Sequence, residues 1–363
     1  MKRILIVVGT RPNFIKVTQF KKVIQGYPDL EMKIVHTGQH YEKNLADVFF
    51  HQFNLTPDFF LNIIPSTPNS QMAEIMIALE KLIIDYKPDL MIVPGDVNST
   101  LAAAITANKC NVKLAHLESG LRSFDKAMPE EHNRIATDAL TDYFFVTEQS
   151  GIDNLKKEGK KDEQIFFVGN TMIDTLVAFN EEIQKSDILS GLKVEKNKFI
   201  LMTMHRPSNV DTREGLKKLL RICKELSNQY SLVFPVHPRT IKNIEQHGLL
   251  DKFKSIHRLI FSEPLDYFSF QKLVCNSLCI ITDSGGVQEE STFKQIPCLT
   301  LRANTERPVT VTLGTNELIP FEPEIIIDKV RSIENNKHKK GFIPPLWDGK
   351  ATDRVIKTIY SFI

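Results

Sequence analysis

Short apolar runs of strand length alternate with longer, helix-length segments from the first residues of this chain onward. The first series of runs reads "RILIVV", "KIVHT", "LMIVPGD", "KLAHLES", "YFFVTE" and "QIFFVGN". Helical segments such as residues 71–85 and 99–109 separate these runs. Continuous apolar strands joined through helices form parallel sheets that are covered on both faces. The sequence therefore predicts an α/β fold of the Rossmann-like type.

The same pattern begins again in the second half of the chain, as "FILMTMHR", "LVFPVHPR", "RLIFSEP", "LCIITDSGG" and "PCLTL". A length of 363 residues is too great for one ordinary domain and fits two domains of roughly 150–200 residues. We place the boundary near Gly169 and Asn170, with domains over residues 1–170 and 171–349 and a closing amphipathic helix over 350–363. Two such domains that face each other leave a deep cleft at the carboxyl ends of their strands, where ligands bind.

Composition excludes several classes of protein. The formal net charge of +2 lacks the basic excess that is typical of nucleic-acid binding. No run reaches the ~18 apolar residues of a membrane helix, and the N-terminal run meets "GTRP" rather than a signal-peptide cleavage site. The five cysteines form no C-x-x-C pair, so we expect reduced thiols and no metal site. These features predict a cytoplasmic protein without nucleic-acid or membrane partners.

Carboxylates follow the strands of the first series. Asp96 ends "LMIVPGD" and Glu118 ends "KLAHLE", while "MPEEHNR" puts Glu130 and Arg134 around the start of a helix. The plainer interpretation of Glu130 and Glu131 is that acidic residues stabilise the positive end of that helix. Carboxylates gathered at one edge of a sheet can also act as acid and base, as abstraction of a proton from carbon requires. We therefore predict acid–base roles for Asp96, Glu118 and Glu130.

Cations and histidines suggest an anionic ligand. The motif "GTRPNFIK" places Arg11 and Lys16 around the start of a helix, the end that already favours negative charge. His205 and His237 follow strands of the second series, and an arginine stands close behind each of them. A lone histidine is more often structural, but histidines beside arginines favour contact with an anion or with a leaving group.

A second phosphate-binding candidate is "CIITDSGGVQEES", in which a strand ends, Ser284, Gly285 and Gly286 form a loop, and a helix begins near Val287. Two glycines allow the backbone N–H groups to approach an anion at a helix N-terminus. Glu290 could then accept hydrogen bonds from ribose hydroxyls, and Arg307 is a candidate phosphate contact. The plainer alternatives are a glycine turn before a helix and an ordinary loop around Arg307. No G-x-G-x-x-G motif follows the first strand, which argues against bound NAD.

The motifs "GTRPNFIK", "TGQHY", "PGDVNST", "HLESGLRS", "MPEEHNR", "GNTMID", "TMHRPSN", "PVHPR", "TDSGGVQEE" and "TERPVTVTLGTN" resemble, in order and spacing, the non-hydrolysing UDP-N-acetylglucosamine 2-epimerases. The resemblance implies a glycosyltransferase-B-type fold: two Rossmann-like domains, a deep cleft, and a C-terminal helix that crosses back to the first domain. It also implies a homodimer and a UDP-sugar substrate, with no cofactor, neither NAD nor metal. Relatives that their own substrate activates carry arginine where Tyr41 stands, so the resemblance argues against such activation here.

The resemblance further implies how the reaction proceeds. A carboxylate removes the C2 proton of the sugar while UDP leaves C1, which gives 2-acetamidoglucal and UDP. UDP then adds back and a proton returns to the other face of C2. Asp96, Glu118 and Glu130 match the acid–base carboxylates of the family, and His205 matches the histidine at the diphosphate. We assign substrate binding to Arg11, Lys16, Arg134, His237, Ser284, Gly285, Gly286, Glu290 and Arg307.

Four alternatives stay open at this point. The substrate could be a related UDP-HexNAc sugar such as a diacetamido-uronic acid. The enzyme could be a hydrolysing 2-epimerase that releases free N-acetylmannosamine, or a retaining glycosyltransferase that uses a UDP-sugar. A nucleotide-sugar sensor without catalysis is the fourth.

Overall fold

The computed structural model describes residues 1–38, 50, 52–64 and 67–363. The described chain divides into two compact units. The first unit comprises Met1–Ala178 and Pro345–Ile363, and the second unit comprises Phe179–Pro344. Tyr41, and with it the "QHY" part of the motif "TGQHY", lies outside the described residues.

Parallel strands form the sheet of the first unit. In the described part of this unit the strand order is β3-β2-β1-β4-β5-β6-β7, and neighbouring strands pair parallel. The strands are β1 (Lys2–Val8), β2 (Leu30–His36), β3 (Phe59–Phe60), β4 (Leu90–Pro94), β5 (Lys113–Leu117), β6 (Tyr143–Val146) and β7 (Ile165–Phe167). The order places β1, β4 and β5 side by side, so the loops that follow them meet at one edge of the sheet.

Helices connect these strands. They are α1 (Arg11–Ile15), α2 (Phe20–Val23), α3 (Pro68–Tyr86), α4 (Asn98–Lys109), α5 (Pro129–Leu140), α6 (Gln149–Lys157) and α7 (Thr171–Ala178), with 3-10 turns at Ile24–Gly26 and Asp162–Gln164. Thr67 caps α3 by accepting a hydrogen bond from the Ser70 N–H. Ile75, Leu79 and Ile83 of α3 recur every fourth residue and are buried, which places one apolar face of the helix in the core of the unit.

The second unit, all of which is described, has a parallel sheet with the order β10-β9-β8-β11-β12-β13. Its strands are β8 (Phe199–Thr203), β9 (Ser231–Pro235), β10 (Leu259–Ser262), β11 (Cys279–Thr282), β12 (Cys298–Thr300) and β13 (Asn316–Leu318). Here β8 and β11 are the central neighbours, so the loops after them are adjacent. Both sheets confirm the predicted α/β fold.

The helices of the second unit are α8 (Asn180–Lys185), α9 (Ile188–Gly191), α10 (Pro207–Val210), α11 (Arg213–Leu226), α12 (Pro238–Gln246), α13 (Leu250–Lys254), α14 (Tyr267–Asn276), α15 (Gly285–Lys294), α16 (Pro308–Thr312) and α17 (Pro323–Glu334). Thr212 caps α11 through the Gly215 N–H, and Asp266 caps α14 through the Ser269 N–H. Among the described residues, no helix combines the length and apolar character that crossing a membrane requires.

The chain returns to the first unit through its last helix, α18 (Ala351–Phe362). Asp174 of α7 accepts hydrogen bonds from the N–H groups of Ala351 and Thr352, at 3.0 and 2.5 Å. The indole N–H of Trp347 donates to the carbonyl of Thr147 at 3.0 Å. The bonds of Asp174 join α7 to α18 within the first unit, which includes Met1–Ala178 and Pro345–Ile363.

Candidate active site

The loop after β1 is tied to the loop after β4. The carboxamide oxygen of Asn13 accepts hydrogen bonds from the Thr10 hydroxyl at 3.0 Å and the Gly9 N–H at 3.4 Å. The Asn13 amide donates to the Pro94 carbonyl at 3.0 Å. A Cβ atom on Gly9 would lie 2.1 Å from the Ser99 hydroxyl, so only glycine allows this approach. Asn13 therefore fixes the position of the start of α1 relative to the end of β4, the strand that precedes Asp96. Arg11, at the start of α1, is half-buried.

Lys16 and Glu118 form a buried ion pair through the Lys16 ammonium and Glu118 Oε2. Glu118 follows β5 with a φ of 66°, a left-handed conformation that costs a non-glycine residue about 1 kcal/mol or more. A Cβ atom on Gly95 would lie 3.1 Å from the Lys16 ammonium, so the pair sits against the loop that carries Asp96. The structure thus brings two of the predicted residues together, with the charge of Glu118 neutralised by Lys16.

Arg134 joins Asp96 to Glu131. Its guanidinium contacts Asp96 Oδ2 at 2.5 Å and Glu131 Oε2 at 2.7 Å. Glu131 is buried and also accepts hydrogen bonds from the Ser123 N–H and hydroxyl at 2.9 and 2.8 Å. Glu130 is exposed and contacts no charged partner among the residues that the structure describes. The two neighbouring glutamates therefore differ: Glu131 fastens the loop after β5, and the Glu130 carboxylate is accessible.

In the second unit, Asp283 organises the loop after β8. Its buried carboxylate accepts hydrogen bonds from the His205 and Arg206 N–H groups at 3.1 and 2.9 Å and from the Asn209 amide at 3.1 Å. The His205 Nδ1 atom lies 2.9 Å from Asp283. Burial alone would raise the pKa of Asp283, but the hydrogen bond and charge of His205 outweigh it and hold the pKa below its ordinary value. His205 thus presents its Nε2 atom away from Asp283.

His237 lies beside His205, with 5.3 Å between the two ring centroids. Its Nδ1 atom accepts a hydrogen bond from the Arg239 N–H at 3.1 Å and caps α12. Arg239 itself pairs with Asp211 through distances of 2.5 and 2.8 Å. The structure therefore brings the two predicted histidines together and ties Arg239 to a surface carboxylate.

The loop Ser284–Gly286 leads directly into a helix. The structure begins α15 at Gly285, two residues before the predicted start near Val287, because Ser284 already has extended dihedral angles and serves as the N-cap residue. The Ser284 N–H donates to the Thr282 hydroxyl at 3.0 Å. The first N–H groups of any helix have no partner within that helix. Gly285 and Gly286 therefore present backbone donors suited to an anion, whereas the Ser284 N–H already has its acceptor.

Arg307 lies next to that loop in a network of buried ion pairs. Its guanidinium contacts Glu289 Oε2 at 2.7 Å and also pairs with Glu306. Arg302 contacts Glu306 Oε2 at 2.7 Å. A Cβ atom on Gly285 would lie 2.8 Å from Glu306 Oε1, which shows how closely the network approaches the start of α15. Arg307 thus lies beside the start of α15, with its charge balanced by two carboxylates.

Glu290 lies in the second turn of α15, buried beside α14. Burial raises the pKa of Glu290 to about 7, and the nearby Gln271 amide opposes this rise only in part. Tyr267 is buried on the same side, and burial followed by the charge of Glu290 raises its pKa. The sequence predicted that Glu290 accepts hydrogen bonds from ribose hydroxyls, and the structure shows that its side chain is largely enclosed.

Sequence reasoning did not select Asn13, Glu131 or Asp283 as site residues. Asp283 had a usable signal, because it stands directly between a buried strand and a Ser-Gly-Gly loop. Asn13 and Glu131 had none, since only their tertiary partners distinguish them from ordinary residues of a first helical turn. In the described part of the chain, no cluster of three or more His, Cys, Asp or Glu side chains could hold a metal ion.

Comparison with known proteins places this arrangement in a family. The sequence profile of the family described as UDP-N-acetylglucosamine 2-epimerase matches residues 22–360. A UDP-N-acetylglucosamine 2-epimerase of Methanococcus maripaludis is 37% identical over 99% of both chains. A UDP-2,3-diacetamido-2,3-dideoxy-D-glucuronate 2-epimerase of Pseudomonas aeruginosa is 38% identical over 91% of this chain and 92% of its own.

Among solved structures, one similar protein is the UDP-GlcNAc 2-epimerase of Methanocaldococcus jannaschii, crystallised in complex with UDP-GlcNAc and UDP. It is 36% identical, covers 99% of this chain and 100% of its own, and superposes with a TM-score of 0.89. Sequence and structure therefore agree over almost the whole length. This chain belongs to the UDP-N-acetylglucosamine 2-epimerase family.

Proposed function

We propose that this protein is a non-hydrolysing UDP-N-acetylglucosamine 2-epimerase that interconverts UDP-GlcNAc and UDP-ManNAc. The observation that carries the proposal is the likeness, over 99% of this chain, to an epimerase crystallised with UDP-GlcNAc and UDP. Acids at the strand ends of the first unit and backbone donors in the second unit supply the two kinds of chemistry that such a reaction needs.

The second unit binds the nucleotide in this proposal. The N–H groups of Gly285 and Gly286 at the start of α15, just after Ser284, receive the diphosphate. Glu290 accepts hydrogen bonds from the ribose hydroxyls, which are chemically suited to a carboxylate that is otherwise enclosed. Arg307 and His237 add positive or donor groups near the same loops. Two carboxylates already balance the charge of Arg307. We therefore assign Arg307 two roles, to orient the Ser284–Gly286 loop and to contact the phosphate.

His205 assists the departure of UDP. Its Nδ1 atom faces the buried carboxylate of Asp283, an arrangement that fixes the ring and stabilises the positive charge of its protonated form. Nε2 is then available to donate to a diphosphate oxygen as negative charge develops there. This role needs Asp283 as a partner, and Asp283 is ionised because its pKa is held low.

Carboxylates of the first unit move the proton. Asp96, Glu118 and Glu130 are the three proposed acid–base groups, with Arg11, Lys16 and Arg134 as the cations that bind the substrate. One carboxylate takes the C2 proton, the C2–H electron pair forms the C1–C2 double bond, and the C1–O pair leaves with UDP. In the reverse addition a second acid protonates the opposite face of C2. Loss of a well-stabilised diphosphate makes a weakly acidic C2 proton removable.

A second candidate substrate is a UDP-diacetamido-uronic acid. The relative from Pseudomonas aeruginosa that carries this name is as similar to the chain, at 38% identity, as the N-acetylglucosamine epimerases at 37%. The reaction at C2 is the same for both sugars, so only the groups around C3 and C6 would differ. An assay that offers both UDP-sugars at equal concentration separates the two candidates by kcat/KM.

The proposal extends to the setting of the enzyme. We propose a homodimer that acts in the cytoplasm, needs no added metal or NAD, and supplies an activated sugar for polysaccharide biosynthesis. Five cysteines without a disulfide in the described chain are compatible with a reducing compartment. Light scattering on the purified protein tests the assembly. The mass of two chains would support the homodimer, and the mass of one chain would contradict it.

Incubation of the protein with UDP-GlcNAc in deuterated water tests the reaction. We expect two UDP-sugars at equilibrium, with deuterium at C2 of both, as measured by proton NMR. Free N-acetylmannosamine with UDP would instead identify a hydrolysing epimerase. Transfer to an acceptor without exchange at C2 would identify a glycosyltransferase, and binding without any turnover would identify a sensor.

A further inference from the structure

A buried chain of charged side chains lies beneath the acidic strand ends of the first unit. His116 of β5 has its Nδ1 atom 2.7 Å from Asp138 Oδ1 and its Nε2 atom 2.7 Å from the carbonyl oxygen of Gly95. Arg122 contacts Asp138 Oδ2 at 2.7 Å and binds Glu158 through two hydrogen bonds of 2.9 and 2.7 Å. His116 and Asp138 are both 0% exposed. The proposed reaction uses none of these four side chains.

The hydrogen bonds determine where the protons of His116 lie. A carbonyl oxygen can only accept, so Nε2 must carry a proton to donate to Gly95. Asp138 Oδ2 already accepts from Arg122 and from the Gly120 N–H at 3.0 Å, as an ionised carboxylate does. An ionised Asp138 accepts from Nδ1 as well, so both ring nitrogens are donors.

The hydrogen bonds of His116 and Asp138 reach two loops that contain residues with positive φ. Gly95 precedes Asp96 and has a φ of 67°, while Glu118 and Gly120 have φ values of 66° and 78°. Glycine adopts such angles without strain, whereas a left-handed glutamate such as Glu118 persists only where its surroundings hold it. His116 holds the Gly95 carbonyl, and Asp138 holds the Gly120 N–H. The two strand ends that present Asp96 and Glu118 are therefore fastened to one buried ion pair.

We infer that His116 is a buried imidazolium that, with Asp138, positions the carboxylates of Asp96 and Glu118. It is a positioning residue, since it acts through the backbone of two loops and touches no reacting group. The charges that face it come from Asp138 on α5 and, beyond that, from Arg122 and Glu158, while the Lys16–Glu118 pair adjoins Gly95 on its other side. The charges of His116, Asp138, Arg122 and Glu158 sum to zero.

The protonation state can be measured without any assay of catalysis. Nitrogen-15 NMR of protein labelled in its histidine rings reports whether each ring nitrogen carries a proton, and the signal missing from His116→Gln identifies His116. We expect both nitrogens of His116 to be protonated in the wild-type protein at neutral pH. In Asp138→Asn one of them should lose its proton, because the compensating charge is gone. A wild-type His116 with one bare nitrogen overturns the inference.

The positioning role rests on the proposed epimerase function and needs kinetics as well. His116→Gln keeps a donor for Gly95 but removes the charge and the bond to Asp138. We expect kcat to fall about 10- to 100-fold with KM within about twofold, since the nucleotide is bound elsewhere. His257→Gln, a change of an exposed histidine of the second unit, should leave kcat unchanged.

The outcomes separate the two proposals. A folded His116→Gln protein with wild-type kcat overturns the positioning role. If the wild-type protein itself has no epimerase activity, the proposed function fails while the NMR result still decides the protonation of His116. If His116→Gln does not fold, the histidine ring signal that changes in Asp138→Asn identifies His116 in the wild-type spectrum, and the kcat of Asp138→Asn tests the positioning role.

Discussion

The two units place carboxylates at the ends of parallel strands, but they treat the charge differently. In the first unit each strand-end acid has a cation close by, as Glu118 has Lys16 and Asp96 has Arg134. In the second unit Asp283 has His205, whereas Glu290 has no cation partner among the described residues and its pKa rises to about 7. Burial alone therefore does not set the charge of an acid, because a nearby cation can outweigh the effect of burial.

Removal of the first-unit acids should give the largest effect. We expect Asp96→Asn, Glu118→Gln and Glu130→Gln each to lower turnover by at least ~100-fold, because a side-chain amide cannot move the C2 proton. UDP affinity should be largely retained, since the nucleotide binds to the second unit in our proposal. Steady-state kinetics and titration calorimetry measure the two quantities.

A matched control for this series is Glu163→Gln, which removes an exposed carboxylate from the same unit and should leave turnover unchanged. Wild-type rates in all three acid variants would show that the acids are misassigned. If Glu130→Gln alone retained activity, Asp96 and Glu118 would be the acid–base residues, and Glu130 would have no part in proton transfer.

Asp283→Ala should give the next largest effect, now on stability. Deletion of the carboxylate leaves two backbone N–H groups, an amide and His205 without their acceptor, which costs about 3 kcal/mol in the free energy of unfolding. The folded-state pKa of Asp283 lies below its unfolded value, so its stabilisation is present above the unfolded pKa and is lost as pH falls through the folded one. Urea unfolding at several pH values measures both effects.

The control here is Asp251→Asn at an exposed position of α13, which should change neither the midpoint nor its dependence on pH. A midpoint for Asp283→Ala equal to that of the wild type would mean that the loop after β8 holds its shape without this carboxylate. The role of Asp283 as the partner of His205 would then need another explanation.

Much of the α/β architecture could be predicted from the sequence, since each long strand is a continuous apolar run. The runs that predicted β1, β4, β5, β8 and β11 coincide with these strands. The edge strands Phe59–Phe60 and Asn316–Leu318 escaped prediction, because the first is only two residues long and the second has two polar residues among its three. Their extended form comes from backbone pairing with a neighbouring strand, which is a tertiary property.

The site was readable only in part. Topology places strand-end residues at one edge of a sheet, so the candidates Asp96, Glu118 and His205 could be selected from the sequence alone. Their partners could not, because Lys16 and Glu118 stand 102 residues apart and His205 and Asp283 stand 78 apart. Nor could sequence reveal that Glu290 is enclosed, since its burial depends on how α14 packs on α15.

Glu290→Gln tests the uncompensated acid and should have a smaller effect on stability than Asp283→Ala. The folded-state pKa of about 7 lies above the ordinary glutamate value of 4.5, so the native protein binds the extra proton. The wild-type free energy of unfolding should therefore fall as pH rises from about 5 to 8. Glutamine stays neutral, so at pH 8 the variant should be more stable by on the order of 1–2 kcal/mol.

The same variant should bind UDP more weakly if Glu290 contacts the ribose, which titration calorimetry measures. A matched control is Glu263→Gln, in which an exposed glutamate of the same unit is changed. An unaltered pH dependence of stability in Glu290→Gln would show that Glu290 is ionised in the native protein. Unaltered UDP affinity would remove it from the nucleotide site.

The smallest effect should follow from Arg239→Gln. This variant tests whether Arg239 binds the anion, as we propose for Arg307. Sequence reasoning placed Arg239 with His237 at the anion, yet its guanidinium pairs with Asp211 and is half-exposed. An exposed ion pair contributes about 0.5 kcal/mol or less, and salt screens it. We expect a change in the free energy of unfolding of that size at low salt, which vanishes at high salt, and no change in UDP affinity.

Arg307, which is buried beside the Ser284–Gly286 loop, gives the contrast: Arg307→Gln should weaken UDP binding. A loss of affinity in Arg239→Gln as large as that in Arg307→Gln would return Arg239 to the anion site and reverse this part of the comparison.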